Sequence, residues 1–456
     1  MVDIFVNFAH RIGMDKAIAY SSGSRILGGI TGVLSVFFIS TFLTGVEQGF
    51  YYTFGSILAL QVFFELGLTG IMTQYVAHEV SHLQLNEECQ YEGEEKYKSR
   101  LASLVHFCVK WYSVLAILVF VFLLIVGLIF FTHFGEEHSE EVSWHMPWTL
   151  ICLGTSLNIL QSPFISIFMG VGKVKEMSKV GFIQQFVIPL VNWTGFVCGL
   201  KLYVLPIASL MPVLIWQFYV WRSGLARIIV NLWKVRITER VAYLKEIFPY
   251  QWKIALSWIS GYFIFQLFNP VLFATEGAVV AGQMGMTLQA LNAIQAFSMS
   301  WLNTKVPLYS QLIALKDYLK LDTIFNKTLQ QMAGVCLVLL AMFFAAIWLL
   351  NVTNLQLNGH VLAERFLPYI PMLLLMFTIY LNQYTSSWAT YLRCHKQEPF
   401  LVISICGALA DGLSTLVFGN LFGLYGITIG YCTMTTLFFP WGYWIYKTKK
   451  AEWHHE

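Results

Sequence analysis

Twelve stretches of the chain are apolar over lengths that cross about 30 Å of hydrocarbon as helices. They lie near 17–43, 48–77, 101–132, 147–171, 180–200, 203–221, 251–274, 278–302, 324–350, 367–392, 399–419 and 422–446. A backbone in lipid has to satisfy its own polar groups, so each stretch is expected to be helical. The composition agrees: 57% hydrophobic, 16% aromatic and 12% charged over 456 residues, with a mean hydropathy of +0.63, where a soluble domain carries ~25% charge. The expected fold class is an all-α polytopic membrane protein with about 12 transmembrane helices.

With the N-terminus in the cytoplasm, the cytoplasmic connections and both termini hold nearly all of the 28 Lys and Arg, while the opposite connections hold only Lys201 and Arg365. The positive-inside rule then expects both termini in the cytoplasm. The net charge of +3 is absorbed by this orientation and by the inner leaflet. The first 16 residues lack the compact apolar run and small-residue cleavage site of a removed signal peptide, so the first span is expected to stay as an anchor. Glu136–Glu141 should be an external acidic loop, and 78–100 a cytoplasmic one.

Eight cysteines are scattered, Cys152, Cys198, Cys336 and Cys432 among them, with no CxxC and no His pair at ligand spacing. No disulfide framework, metal site or cofactor is expected. The chain has no GxxxxGK[ST] pattern for direct ATP coupling and no Ser/His/Asp arrangement that supports an enzyme.

The chain also echoes itself. Arg25 plus 228, half the length, gives Lys253, and each cation stands early in a long span followed by a tight turn, Thr44 to Glu47 in one half and Thr275 to Gly277 in the other. The basic GVGKVKEMSK between spans four and five pairs with YLRCHKQEP between spans ten and eleven. The economical organisation is a six-helix bundle over 1–221, a cytoplasmic amphipathic linker over 222–250 and a second six-helix bundle over 251–456.

Ionisable residues inside spans cost about 2.5–3.5 kcal/mol even on lenient scales and are usually kept for a substrate, an ion or a partner charge. Arg25 and Glu65 lie about equally far from the turn at Gly45, hence at one depth on adjacent antiparallel spans. They suit either a structural pair or a substrate cation and a proton carrier. Asp411, about 12 residues into the eleventh span and followed by Ser414 and Thr415, is a candidate ion or proton site, or a carboxyl that holds helices together. Gln289, Asn292 and Gln295 fall at three-residue steps; Gln61 with Glu65, and Asn382 with Ser386, fall at i,i+4. Such stripes either face a wet interior or glue helices together. Gly23, Gly28, Gly29 and Gly32 in the first span, and Asn269-Pro270 in the seventh, are candidate bend points.

The runs GFYYTFGSILALQVFFELGL, SGSRILGGITG, GVGKVK and WLNTKVPLYSQLIALKDYLKLDTIF together resemble the multidrug/oligosaccharidyl-lipid/polysaccharide exporter superfamily, in its polysaccharide (O-antigen-type) flippase branch. The resemblance covers the whole chain in length, span count and two-lobe layout, though its motifs are diffuse. It implies two bundles around a central cavity and alternating access at the bacterial inner membrane. The substrate implied is a polyprenyl(undecaprenyl)-pyrophosphate-linked oligosaccharide, with H+ or Na+ as coupling ion, and polysaccharide-assembly proteins are possible partners. By position, Arg25, Lys253 and Lys305 are the pyrophosphate candidates; Lys253 and Lys305 also suit snorkelling or anchoring at the inner boundary. Gln61, Gln289, Asn292 and Gln295 would face the sugars. The rival within the superfamily is a cation-coupled multidrug or small-molecule exporter. A membrane glycosyltransferase or polymerase is disfavoured, because the external connections leave little room for a catalytic loop.

Overall fold

The computed structural model describes residues 16–135, 142–395 and 397–454. The side chains of Arg25 and Lys253 lie outside what it describes, and with them the Arg25–Glu65 pairing. Among the described residues fifteen α-helices longer than a single turn follow in order. They are α1 Lys16–Phe42, α2 Gly45–Leu58, α3 Leu68–Val80, α4 Glu95–Phe134, α5 His145–Gly170, α6 Val174–Val197, α7 Val204–Arg222 and α8 Ala226–Lys234. Then come α9 Phe248–Phe265, α10 Phe268–Glu276, α11 Ala278–Asn303, α12 Val306–Ala314, α13 Tyr318–Thr353, α14 Tyr369–Arg393 and α15 Leu401–His454. Two antiparallel ribbons, β1 Leu83–Leu85 with β2 Tyr91–Gly93 and β3 Gln356–Leu357 with β4 His360–Val361, close loops.

Among the described residues seven helices are long and apolar enough to cross a membrane, and eight if the bent pair Gly45–Glu65 and Leu68–Val80 is one span. The protein is an all-α, multi-pass membrane protein. Helices α11 and α14 occupy expected windows but fall outside that set; α11 carries the polar stripe, and α14 carries Asn382 and Ser386. Helix α15 is 54 residues long, about 81 Å at 1.5 Å per residue, too long for one span. It divides at Gly423, whose φ of 54° and ψ of −133° leave the helical region, and Leu424 N donates to Glu276 Oε1 at 2.8 Å to start the second half. This is the boundary expected between spans eleven and twelve.

The expected turn at Thr44 is a capping box: Glu47 N donates to Thr44 Oγ1 at 3.1 Å and Thr44 N to Glu47 Oε2 at 2.9 Å. The break in the seventh span falls between α9 and α10, at Gln266 and Leu267. That position is four residues before Pro270, where the proline ring meets the carbonyl of residue i−4. By contrast α1 runs unbroken through Gly23, Gly28, Gly29 and Gly32. The N-terminal half breaks instead in the second span, after a 3-10 turn at Ala59–Gln61 and a single turn at Val62–Glu65, where Leu66 and Gly67 take φ of 51° and 68°. The two segments there bend by 41°.

The chain packs as two compact units. One comprises residues up to Gly28 and Ile57–Ile259; the other comprises Gly29–Ser56 and Ser260–Glu456. Residues 222–250 pack within the first, and Gly29–Ser56 within the second. In the first unit α5 packs against α3, α4 and α7, and α6 against α7. In the second, α15 packs on α14 and α10, and α11 on α10 and α13. A core of Tyr309, Phe325, Trp388, Tyr391 and Tyr446 locks α12, α13, α14 and α15 together at one end.

Candidate functional site

In the second unit the candidate site is built on α11, α14 and both halves of α15. Asp411 is 6% exposed, and among the described residues its Oδ1 and the Ser414 Oγ have no hydrogen-bond partner. Ser414 lies one turn beyond Asp411 on the same helix. It faces Gly430 so closely that a Cβ there would stand 2.2 Å from Ser414 Oγ. The next residue, Tyr431, accepts a hydrogen bond from Asn382 Nδ2 at 3.0 Å and packs on Phe268 with ring centroids 5.0 Å apart. A buried carboxyl oxygen and a hydroxyl, both unspent, can take a proton or a small cation. Among the described residues no cluster of His, Cys, Asp and Glu suits a metal.

The α11 stripe divides. Gln289 accepts from Tyr52 OH at 2.6 Å and donates to Gly32 O at 3.4 Å, so it ties α11 to α2 and α1. Gln383 Nε2 donates to Gln295 O at 3.3 Å, while Asn292 is exposed. Lys305 is exposed at the N-cap of α12, a position that also suits simple anchoring.

In the first unit Gln61 and Glu65 sit on the interrupted stretch before Leu66, and Glu65 accepts a short hydrogen bond from Thr69 Oγ1. Thus Gln61 and Glu65 belong to one unit, and Gln289, Asn292, Gln295, Lys305 and Asp411 to the other.

Two charged groupings exceed what the sequence indicates. Arg365, one of two expected external cations, is 6% exposed, and its carbonyl accepts from Gln48 Nε2 at 3.0 Å. Burial pulls its pKa down, against the opposing influence of Glu364 and Glu47. In the first unit Arg100 bridges Glu79 at 3.0 Å and Glu246 at 2.8 Å. Ser99 Oγ accepts from Thr238 N and Glu239 N, at 2.8 and 2.9 Å. The linker is therefore held along α4, which lone hydrophilic residues in two distant loops do not signal.

Burial alone would raise the Glu246 carboxyl, but hydrogen bonds from Arg100 and the Ala242 N–H, with the Arg100 charge, hold it below its ordinary range. A lowered folded pKa contributes stability that is present above the unfolded value and lost as pH falls through the folded one. The thermal midpoint in detergent is therefore expected to fall on acidification below about pH 4.5, and Arg100→Ala should flatten that acid limb. Equal acid profiles for wild type and variant would contradict the bridge.

No protein-family model and no curated protein sequence matches the chain. Solved structures do. The fold is similar to an inward-facing multidrug resistance MATE family transporter of the MOP superfamily, with a TM-score of 0.64, 13% identity, and coverage of 99% of this chain and 98% of that one. It is also similar to the lipid II flippase MurJ in an inward closed conformation, with a TM-score of 0.58, 13% identity, and coverage of 93% and 86%. The chain has the fold of the MOP-superfamily transporters. At this identity the likeness is one of fold. The likeness of fold extends over nearly the whole chain.

Proposed function

We propose that the chain is a bacterial inner-membrane flippase that moves a polyprenyl-pyrophosphate-linked oligosaccharide between leaflets by alternating access, for assembly of a surface polysaccharide of O-antigen type. In this reading residues 1–221 and 251–456 are two six-helix bundles joined by 222–250, with both termini cytoplasmic. Arg25, Lys253 and Lys305 meet the pyrophosphate; Gln61, Asn292, Gln295 and Gln289 meet the sugar; Asp411, with Glu65, carries H+ or Na+. The buried Asp411 Oδ1 without a partner carries the coupling part of the reading, because an unsatisfied carboxyl inside a span is costly to keep without a use. Likeness to a lipid II flippase supports a lipid-linked substrate.

A second reading is a cation-coupled multidrug exporter, favoured by the likeness to the MATE family transporter. Proteoliposomes carrying a fluorescent polyprenyl-pyrophosphate oligosaccharide separate the two. Protein-dependent movement between leaflets supports the flippase; no movement, together with gradient-driven export of a cationic dye, supports the exporter. Asp411→Asn is expected to fold and to lose the pH- or sodium-gradient dependence by about tenfold or more, the scale of an ordinary coupling free energy. Unchanged gradient dependence in that variant would remove Asp411 from the mechanism.

A further inference from the structure

The first unit holds a cavity of about 310 Å³ between the β1–β2 ribbon, the first turn of α4 and the end of α8. Its wall gathers Lys98, Lys234 and Arg236 with Glu95, together with the amides of Gln90 and Asn231. Three cations against one carboxylate leave two positive charges around the cavity. Among the described residues none of the three cations is in an ion pair. Glu92 is not part of the wall; its carboxylate accepts from Asn86 Nδ2 at 2.7 Å and keeps its charge.

The cavity is built rather than incidental. Helix α8 turns Ile228 and Leu232 inward, both buried, and packs on α4. His106 Nε2 bonds Trp233 O at 3.0 Å, fixing the end of α8 that carries Lys234. Asn231 Nδ2 donates to Glu88 O at 3.2 Å and Cys89 O at 3.0 Å, fixing the ribbon loop. Glu94, the N-cap of the 40-residue α4, makes no side-chain cap bond, and the Glu94 and Glu95 carboxylates stand at the positive end of that helix, so the cations of the wall carry the attraction for an anion.

We propose that this cavity binds a phosphate-bearing anion. Paired lysine and arginine donors around a pocket of this size suit a phosphate or diphosphate group. Retention of positive charge on the inner side does not need the cations to share a cavity. Lys98 stands 12 residues before Lys110, about 18 Å along α4, and Lys110 is the last charge ahead of the apolar stretch. The cavity therefore opens in water beyond that stretch, reachable by a soluble phosphate or by a lipid headgroup that projects from the surface. The inference does not depend on which substrate is transported.

The test uses the full chain in neutral detergent. Thermal unfolding is followed while inorganic pyrophosphate is titrated in, and separately in mixed micelles containing phosphatidylglycerol or phosphatidylcholine. At least one anionic probe is expected to raise the midpoint saturably, by an amount that shrinks with added salt. A response to pyrophosphate alone assigns the soluble source, and a response to phosphatidylglycerol alone the lipid. The triple variant Lys98→Gln, Lys234→Gln, Arg236→Gln should abolish the rise. Lys234 and Arg236 are exposed, so its midpoint without probe should stay near wild type. Should the triple variant fail to fold, Arg236→Gln alone should weaken the apparent affinity about tenfold, as expected for one charge-assisted hydrogen bond. No saturable rise with either probe, or an equal rise in wild type and variant, overturns the proposal.

Discussion

Valine in place of Gly49 is expected to keep the second unit from assembling. A Cβ at Gly49 would stand 1.9 Å from Ala278 O and 2.5 Å from its carbonyl carbon. On the facing helix, a Cβ at Gly282 would stand 2.8 Å from Gly49 N, and one at Gly285 2.3 Å from the Tyr52 Cγ. The obstacles at Gly49 and Gly282 are backbone, which cannot swing aside as a flexible side chain does. Helices α2 and α11 would have to part, and Gln48 would lose its buried bonds to Gly282 O at 2.8 Å and Arg365 O at 3.0 Å. Overpacking costs about 1–3 kcal/mol and each of the two lost buried bonds about 1 kcal/mol more, so the total comes to about 3–5 kcal/mol. Size-exclusion profiles and unfolding temperatures in detergent measure this directly. A monodisperse Gly49→Val protein with the wild-type midpoint would mean that the two helices do not cross this closely.

Arg100→Ala should produce the second large loss, in the other unit. Glu79 is 1% exposed, and its Oε2 has no hydrogen-bond partner among the described residues. Its Oε1 accepts from the Arg100 Nε at 3.0 Å, with the His78 Nδ1 farther off at 3.8 Å. Removing one partner of a buried pair strands the other, at a cost of about 3–5 kcal/mol. The same change frees Glu246 and loosens the linker from α4. Adding Glu79→Gln should recover part of the loss, because a neutral amide is cheaper to bury than an uncompensated carboxylate. If the double variant is no better than Arg100→Ala, the penalty does not arise from the stranded charge.

Much of the helix layout was legible because span length and chain breakers act locally. Pro270 implies a break, and the break lies one turn upstream, at the carbonyl its ring displaces. Thr44 with Glu47 implies a helix start, and both sides of the capping box form. The break at Leu66 was not read: Gly67 beside it permits a positive φ without forcing a break, and leucine rarely takes one. Glycines in the first span suggested a bend, yet α1 runs through them, since glycine permits bending without forcing it.

The candidate site was legible in part. Asp411 stood out as an acid deep in a span. Its isolation did not, because a missing hydrogen-bond partner is a property of the neighbours that packing supplies. Gln289 read as a stripe member that could face a cavity or glue helices, and its bonds with Tyr52 and Gly32, on other helices, are not indicated by the stripe spacing. Arg365 read as a cation in an external connection, and the burial of its side chain was not legible there.

By itself the sequence determined an all-helical, multi-pass chain and its candidate spans, because hydrophobic length and backbone satisfaction in lipid depend on composition along one segment. Only the tertiary structure decided that Gly29–Ser56 packs with Ser260–Glu456, that Arg100 holds the linker and that Asp411 Oδ1 has no hydrogen-bond partner among the described residues. Each of these rests on contacts between residues far apart in the chain, such as Gln48 with Gly282 or Arg100 with Glu246, and no local pattern encodes which distant surface a helix face will meet.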